Sequence, residues 1–74
     1  MKIAYYPDTD SLYIDLSERR SVETKEISQG IHLDYDETGN IVGIDIDGAS
    51  KKLDLNTINL ANFAGTTKVL RTAA

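Results

Sequence analysis

The chain has 74 residues, no cysteine and a net charge of −4, from 12 acidic and 8 basic side chains. That length holds one domain with a small core, and the missing cysteines exclude disulfides, a thiolate metal site and a cysteine nucleophile. The acidic balance argues against nucleic acid, whose binders neutralise phosphates with a cationic surface.

The start, MKIAYYPDTD, has no apolar run after its lysine, so no signal peptide is expected. No stretch approaches the roughly 20 apolar residues of a membrane span. Together with the absent cysteines this points to a cytoplasmic protein that is not bound to a membrane.

Most of the chain alternates apolar and polar residues with period two, the pattern of half-buried strands. A first strand is predicted over residues 2–6 and a second over 11–17, joined by the turn Pro7-Asp8-Thr9-Asp10. With that turn as the loop, Tyr6 faces Ser11, Tyr5 faces Leu12 and Ile3 faces Ile14 on the buried side. Lys2 then faces Asp15 on the other side, a favourable charge pair. A one-residue slip would mix the two faces.

Residues 18–21 read as a charged loop and 22–28 as an edge strand with only Val22 and Ile27 apolar. In GIHLDYD, Ile31, Leu33 and Tyr35 share one face, and His32, Asp34 and Asp36 the other. The stretch 22–36 is compatible with one strand bent at Gly30 or with two strands. After the turn Glu37-Thr38-Gly39-Asn40, a strand over 41–47 places Tyr35 opposite Val42, Leu33 opposite Ile44 and Ile31 opposite Ile46. On the outer face, His32 then pairs with Asp45 and Asp34 with Gly43.

The period changes at Gly48. Residues 49–53 read as a short helical turn. Asn56 reads as the N-cap of a second helical stretch, with Ile58, Leu60 and Phe63 apolar and Gly65 as its stop. Residues 66–74 carry little pattern. The expected fold is therefore α+β: an antiparallel β-meander of four to five strands followed by a short C-terminal helical segment. Residues 1–55 form the core unit and 56–74 the helical tail. One short helix is too little to cover the row Ile3, Tyr5, Leu12, Ile14, Leu33, Tyr35, Ile44 and Ile46, so a homodimer is expected.

Chemistry-bearing residues gather on the outer face of the last hairpin. His32, Asp34, Asp45 and Asp47 form the candidate interaction face, and Asp15 lies on a neighbouring strand. Carboxylates with one imidazole are a ligand set for a divalent cation. A solvated face with a cross-strand His–Asp contact needs no ion and is preferred. His32 with Asp45 has the makings of a base and its orienter, but the nearest hydroxyls, Ser28 and Thr38, sit in turns, so no nucleophile pairs with it. Asp8 and Asp10 are explained by turn chemistry, because PDTDSLYIDL lacks the glycine and glutamate of a calcium loop. Arg19-Arg20 and Lys51-Lys52 read as solvated charges, and Tyr6 with Tyr13 as exposed outer-face aromatics. No catalytic residue, cofactor or bound metal is expected.

With those residues laid out, MKIAYYPDTDSLYIDL, GIHLDYDETGNIVGIDID and the following ASKKL resemble the domain-of-unknown-function 2283 family of small bacterial and archaeal proteins. The resemblance spans about residues 1–55. It rests on Tyr5, Pro7, Asp10, Leu12-Tyr13-Ile14, Leu33-Asp34-Tyr35-Asp36, Gly39, Val42-Gly43-Ile44 and Ala49-Ser50, mostly turn formers and core-facing positions. It implies no catalytic residue, because the family has no established enzymatic activity. Some members look like the antitoxin half of two-gene toxin–antitoxin pairs. The expected function is a non-enzymatic protein-interaction module, antitoxin-like, that masks a small basic partner protein. The alternative is a small-ligand or divalent-metal-binding protein using His32, Asp34, Asp45 and Asp47.

Overall fold

The computed structural model describes residues 1–71. The elements are β1 (Lys2–Tyr6), β2 (Ser11–Asp15), β3 (Glu23–Ser28), β4 (Ile31–Tyr35), β5 (Ile41–Asp47), α1 (Ala49–Lys52), β6 (Thr57–Phe63) and β7 (Thr66–Arg71). β1 to β5 form one antiparallel sheet in the order β1-β2-β5-β4-β3, and β6 and β7 form a separate two-stranded sheet. The mostly antiparallel β architecture expected from the alternation is present.

The first hairpin has the predicted register throughout, from Lys2 opposite Asp15 to Tyr6 opposite Ser11. Shifting either strand by one residue would turn Ile3, Tyr5, Leu12 and Ile14 to the polar side, which is why alternation alone specifies it. Residues 22–36 form two strands, not one. β3 and β4 fold back on each other at Gln29 and Gly30, where Gly30 takes φ +74°. The last hairpin keeps Ile31 opposite Ile46, His32 opposite Asp45, Leu33 opposite Ile44 and Asp34 opposite Gly43. Its final pair differs: Tyr35 faces Ile41, not Val42, because the register shifts between Asp34 and Tyr35. The irregularity follows from Asp36, whose buried carboxylate gathers the turn beyond it.

Two further expectations are corrected. The sheet is not a simple meander. β5 returns beside β2, with Leu12 opposite Ile46, Tyr13 opposite Asp45 and Asp15 opposite Gly43. This puts β5, the strand richest in isoleucine and valine, at the centre, where both edges of its backbone find partners. The helical turn at Ala49–Lys52 is present, but the chain beyond it is not helical. Asn56 caps no helix, and Ile58 and Leu60 lie on a strand paired with β7. Gly65 does not stop a helix. With Ala64 it forms a two-residue turn between the paired Phe63 and Thr66. The positive φ of both turn residues, +50° and +79°, matches the twist of a hairpin. The end of the expected helical tail, residues 72–74, lies outside the described residues.

The five-stranded sheet has two unlike faces. One carries Ile3, Tyr5, Leu12, Ile14, Ile31, Leu33, Tyr35, Ile44 and Ile46. Not one of these nine is buried, and Ile3 and Tyr5 are each 42% exposed. Among the described residues, the buried apolar side chains are Val42 and Ala49. The molecule is correspondingly slab-like, 34 × 32 × 18 Å. No helix among the described residues is long and apolar enough to cross a membrane.

Candidate functional site

The opposite face holds the polar chemistry, and its centre is Gly43. Tyr13 on β2 and Asp34 on β4 flank β5 at this glycine. A Cβ there would fall 2.0 Å from the Tyr13 hydroxyl oxygen. Because glycine leaves that space empty, Tyr13 lies across β5 and its hydroxyl donates to Asp34 Oδ2 at 2.6 Å. Thr24 on β3 donates to the other Asp34 oxygen at 2.5 Å. One carboxylate therefore joins β2, β4 and β3 over the top of the sheet. The hydrogen bond to Asp34, and then burial, push the Tyr13 phenol up to about 12.

His32, also on β4, faces away from Asp34 toward the end of β5. Its Nδ1 lies 3.8 Å from Asp45 Oδ2 and 3.9 Å from Asp47 Oδ2. Its Nε2 lies 3.3 Å from Glu26 Oε2 on β3. Nδ1 is closed off from solvent and has no hydrogen-bond partner. Ser11 on β2 donates to Asp47 Oδ1 at 3.2 Å. Burial, followed by the repulsion of Asp47, raises the Asp45 pKa, and His32 opposes that rise. Tyr6, Tyr13, Thr24, His32, Asp34 and Asp45 line an open hollow of about 490 Å³.

The structure thus divides the four residues singled out by sequence. His32, Asp45 and Asp47 converge, while Asp34 is taken by Tyr13 and Thr24. Asp15 faces Gly43 on the far side of β5 from His32. Sequence reasoning missed Glu26, Thr24 and Ser11, which reach the cluster only through strand pairings of β3 with β4 and β2 with β5. The alternation of Ser11, Tyr13 and Asp15 carried the signal for one side, but the β2–β5 pairing was needed to use it.

The remaining polar residues hold turns. Asp10 accepts from Tyr5 Oη at 2.7 Å, from Ser50 N at 3.0 Å and from Ser50 Oγ at 2.7 Å, fixing α1 to the first turn. The Tyr5 and Ser50 bonds draw its carboxyl below the usual range. Lys52 donates to the carbonyl of Gln29 at 3.0 Å. Arg19 Nη1 lies 3.5 Å from Asp36, and Arg20 lines a separate surface hollow beside it. The turn reading of Asp10 and the solvated reading of the basic pairs are therefore refined: one member of each pair ties a turn in place.

Among the described residues the groups nearest His32 are carboxylates, those of Glu26, Asp45 and Asp47. A family model described as "Protein of unknown function (DUF2283)" matches residues 2–50, which covers β1 to β5 and the start of α1. No curated protein and no solved structure matches the chain.

Proposed function

The chain belongs to the DUF2283 family of proteins of unknown function, and we propose that it is a non-enzymatic protein-interaction module that pairs with a second copy of itself and binds a small basic protein. One observation carries this reading: a sheet with nine apolar side chains on one face, none of them buried, and clustered carboxylates on the other. A sheet must cover its apolar face, and in a sandwich a second sheet does so at a spacing of about 10 Å. A second copy is a suitable cover because Glu23, on the apolar side of β3, is already paired with Lys25, and Asp15, Glu26, Asp34, Asp45 and Asp47 lie on the opposite side. Two such faces can meet without bringing those charges together.

In the dimer, Asp45, Asp47, Glu26 and Asp34 face outward. Complementary charge accelerates association and selects partners. A basic protein masked by this face is the arrangement of an antitoxin with its toxin.

Co-expression with the product of the adjacent gene tests the partner. The expected result is a complex that weakens with salt and with the double reversal Asp45→Lys and Asp47→Lys. A complex indifferent to both, or no complex, would contradict the acidic-face reading.

A further inference from the structure

The His32 cluster has a feature that protein binding does not require. Nδ1 is shielded from solvent, has no hydrogen-bond partner and faces two carboxylate oxygens. On its other side Nε2 faces Glu26 at 3.3 Å. With Glu26 against Nε2, Nδ1 faces Asp45 and Asp47 across separations too long for a hydrogen bond, and one nitrogen with two carboxylate oxygens around a gap is a donor set for a cation.

We propose that His32 Nδ1, Asp45 and Asp47 bind a divalent transition-metal ion of the zinc type, with Glu26 orienting the imidazole. The ligand set is one nitrogen and two oxygens, with their atoms all within 4.8 Å of one another. Zinc bonds to imidazole nitrogen and carboxylate oxygen are each about 2.0–2.2 Å, so two ligands of a tetrahedral ion lie about 3.4 Å apart. The 3.8 and 3.9 Å separations therefore close by about 0.4–0.5 Å on binding. The two carboxylates approach each other by rotation of the half-exposed Asp47 side chain. The orphaned Nδ1 is the observation independent of the acidic residues. It turns a patch of carboxylates, which alone would be solvated, into a site with a directed nitrogen donor. The imidazole also sets the metal class, because magnesium and calcium prefer all-oxygen shells. Three protein ligands leave a position for water or for a donor atom from a partner protein.

The site does not rest on dimerisation or on a basic partner, and its test is separate from theirs. The full chain is titrated with zinc chloride, and in parallel with magnesium chloride, while the His32 ring and the backbone amides are followed by NMR. Zinc should saturate at one ion per chain, moving the His32 ring nitrogens and the amides of residues 45–47. Magnesium at the same concentration should leave the ring unmoved. Asp45→Asn and Asp47→Asn should each weaken zinc binding at least tenfold, and Glu26→Gln about tenfold. All three are on the surface, and the same spectra report whether each variant is folded. A His32 ring unmoved by millimolar zinc overturns the proposal. So does an affinity unchanged in the Asp45→Asn, Asp47→Asn double variant.

Discussion

At the scale of single residues, two side chains set local structure. Asp36 is only 6% exposed and accepts from Thr38 N at 2.9 Å, Thr38 Oγ1 at 2.8 Å and Asn40 N at 2.9 Å through one oxygen, with Arg19 near the other. The Asn40 backbone bond, then the Thr38 hydroxyl, lower its pKa to about 2. Its folded pKa is depressed, so its stabilisation is complete above the ordinary carboxylate range and lost as pH falls through it toward 2. Denaturant midpoints measured across that range should fall with pH in the wild type, and Asp36→Ala should remove part of that slope. An unchanged slope would count against this role. Tyr13 works in the opposite direction. Its pKa is raised to about 12, so its contribution holds below pH 10 and fades as pH climbs toward 12. Gly43→Ala puts a methyl group where Tyr13 passes, so Tyr13 must move and its bond to Asp34 is lost. The substitution should cost about 1–3 kcal/mol and restore an earlier phenol titration, visible as tyrosinate absorbance. An alanine variant with the wild-type titration would contradict the crossing geometry.

At the scale of elements, the sequence was most legible where alternation was strict. The β1–β2 register could be read because Ile3, Tyr5, Leu12 and Ile14 allow one pairing. The β4–β5 register was legible except at Tyr35, where burial of Asp36 bends the pattern. β6 was misread because Leu60 and Phe63 have helical spacing, although Ile58 and Leu60 also fit a strand. The β-branched residues in Thr66-Thr67-Lys68-Val69 were the stronger signal, but it becomes decisive only with the Ala64-Gly65 turn. The β2–β5 pairing is a long-range contact with no local signature. This hairpin exposes Phe63, Val69 and Leu70 and pairs chiefly with itself. Its amides should therefore exchange faster with solvent than those of β5, which is bonded on both sides. Equal protection of β6 and β5 would show that the hairpin is docked. Ala64 sits at φ +50°, a region unfavourable to alanine by about 1 kcal/mol. Ala64→Gly should slow β6–β7 exchange, and faster exchange would argue against this turn.

At the scale of the whole molecule, the carboxylate cluster around His32 and the apolar row belong to opposite sides of one sheet. The alternation made that division legible in the sequence, but not the grouping of His32 with Asp45, Asp47 and Glu26, which depends on strand order and side-chain direction. Its consequence is that, among the described residues, Val42 and Ala49 are the buried apolar ones, while the nine face residues of β1 to β5 keep contact with solvent. A chain of 74 residues has little other apolar surface to bury. Association and folding stability should therefore be linked, so that the midpoint of thermal unfolding rises with protein concentration. Ile14→Lys and Ile44→Lys, which place charge at the centre of the uncovered face, should shift the population toward single chains. The most direct measurement is the mass in solution by sedimentation at micromolar concentration. Twice the 8.2 kDa of one chain is the predicted result, and a mass equal to a single chain would contradict it.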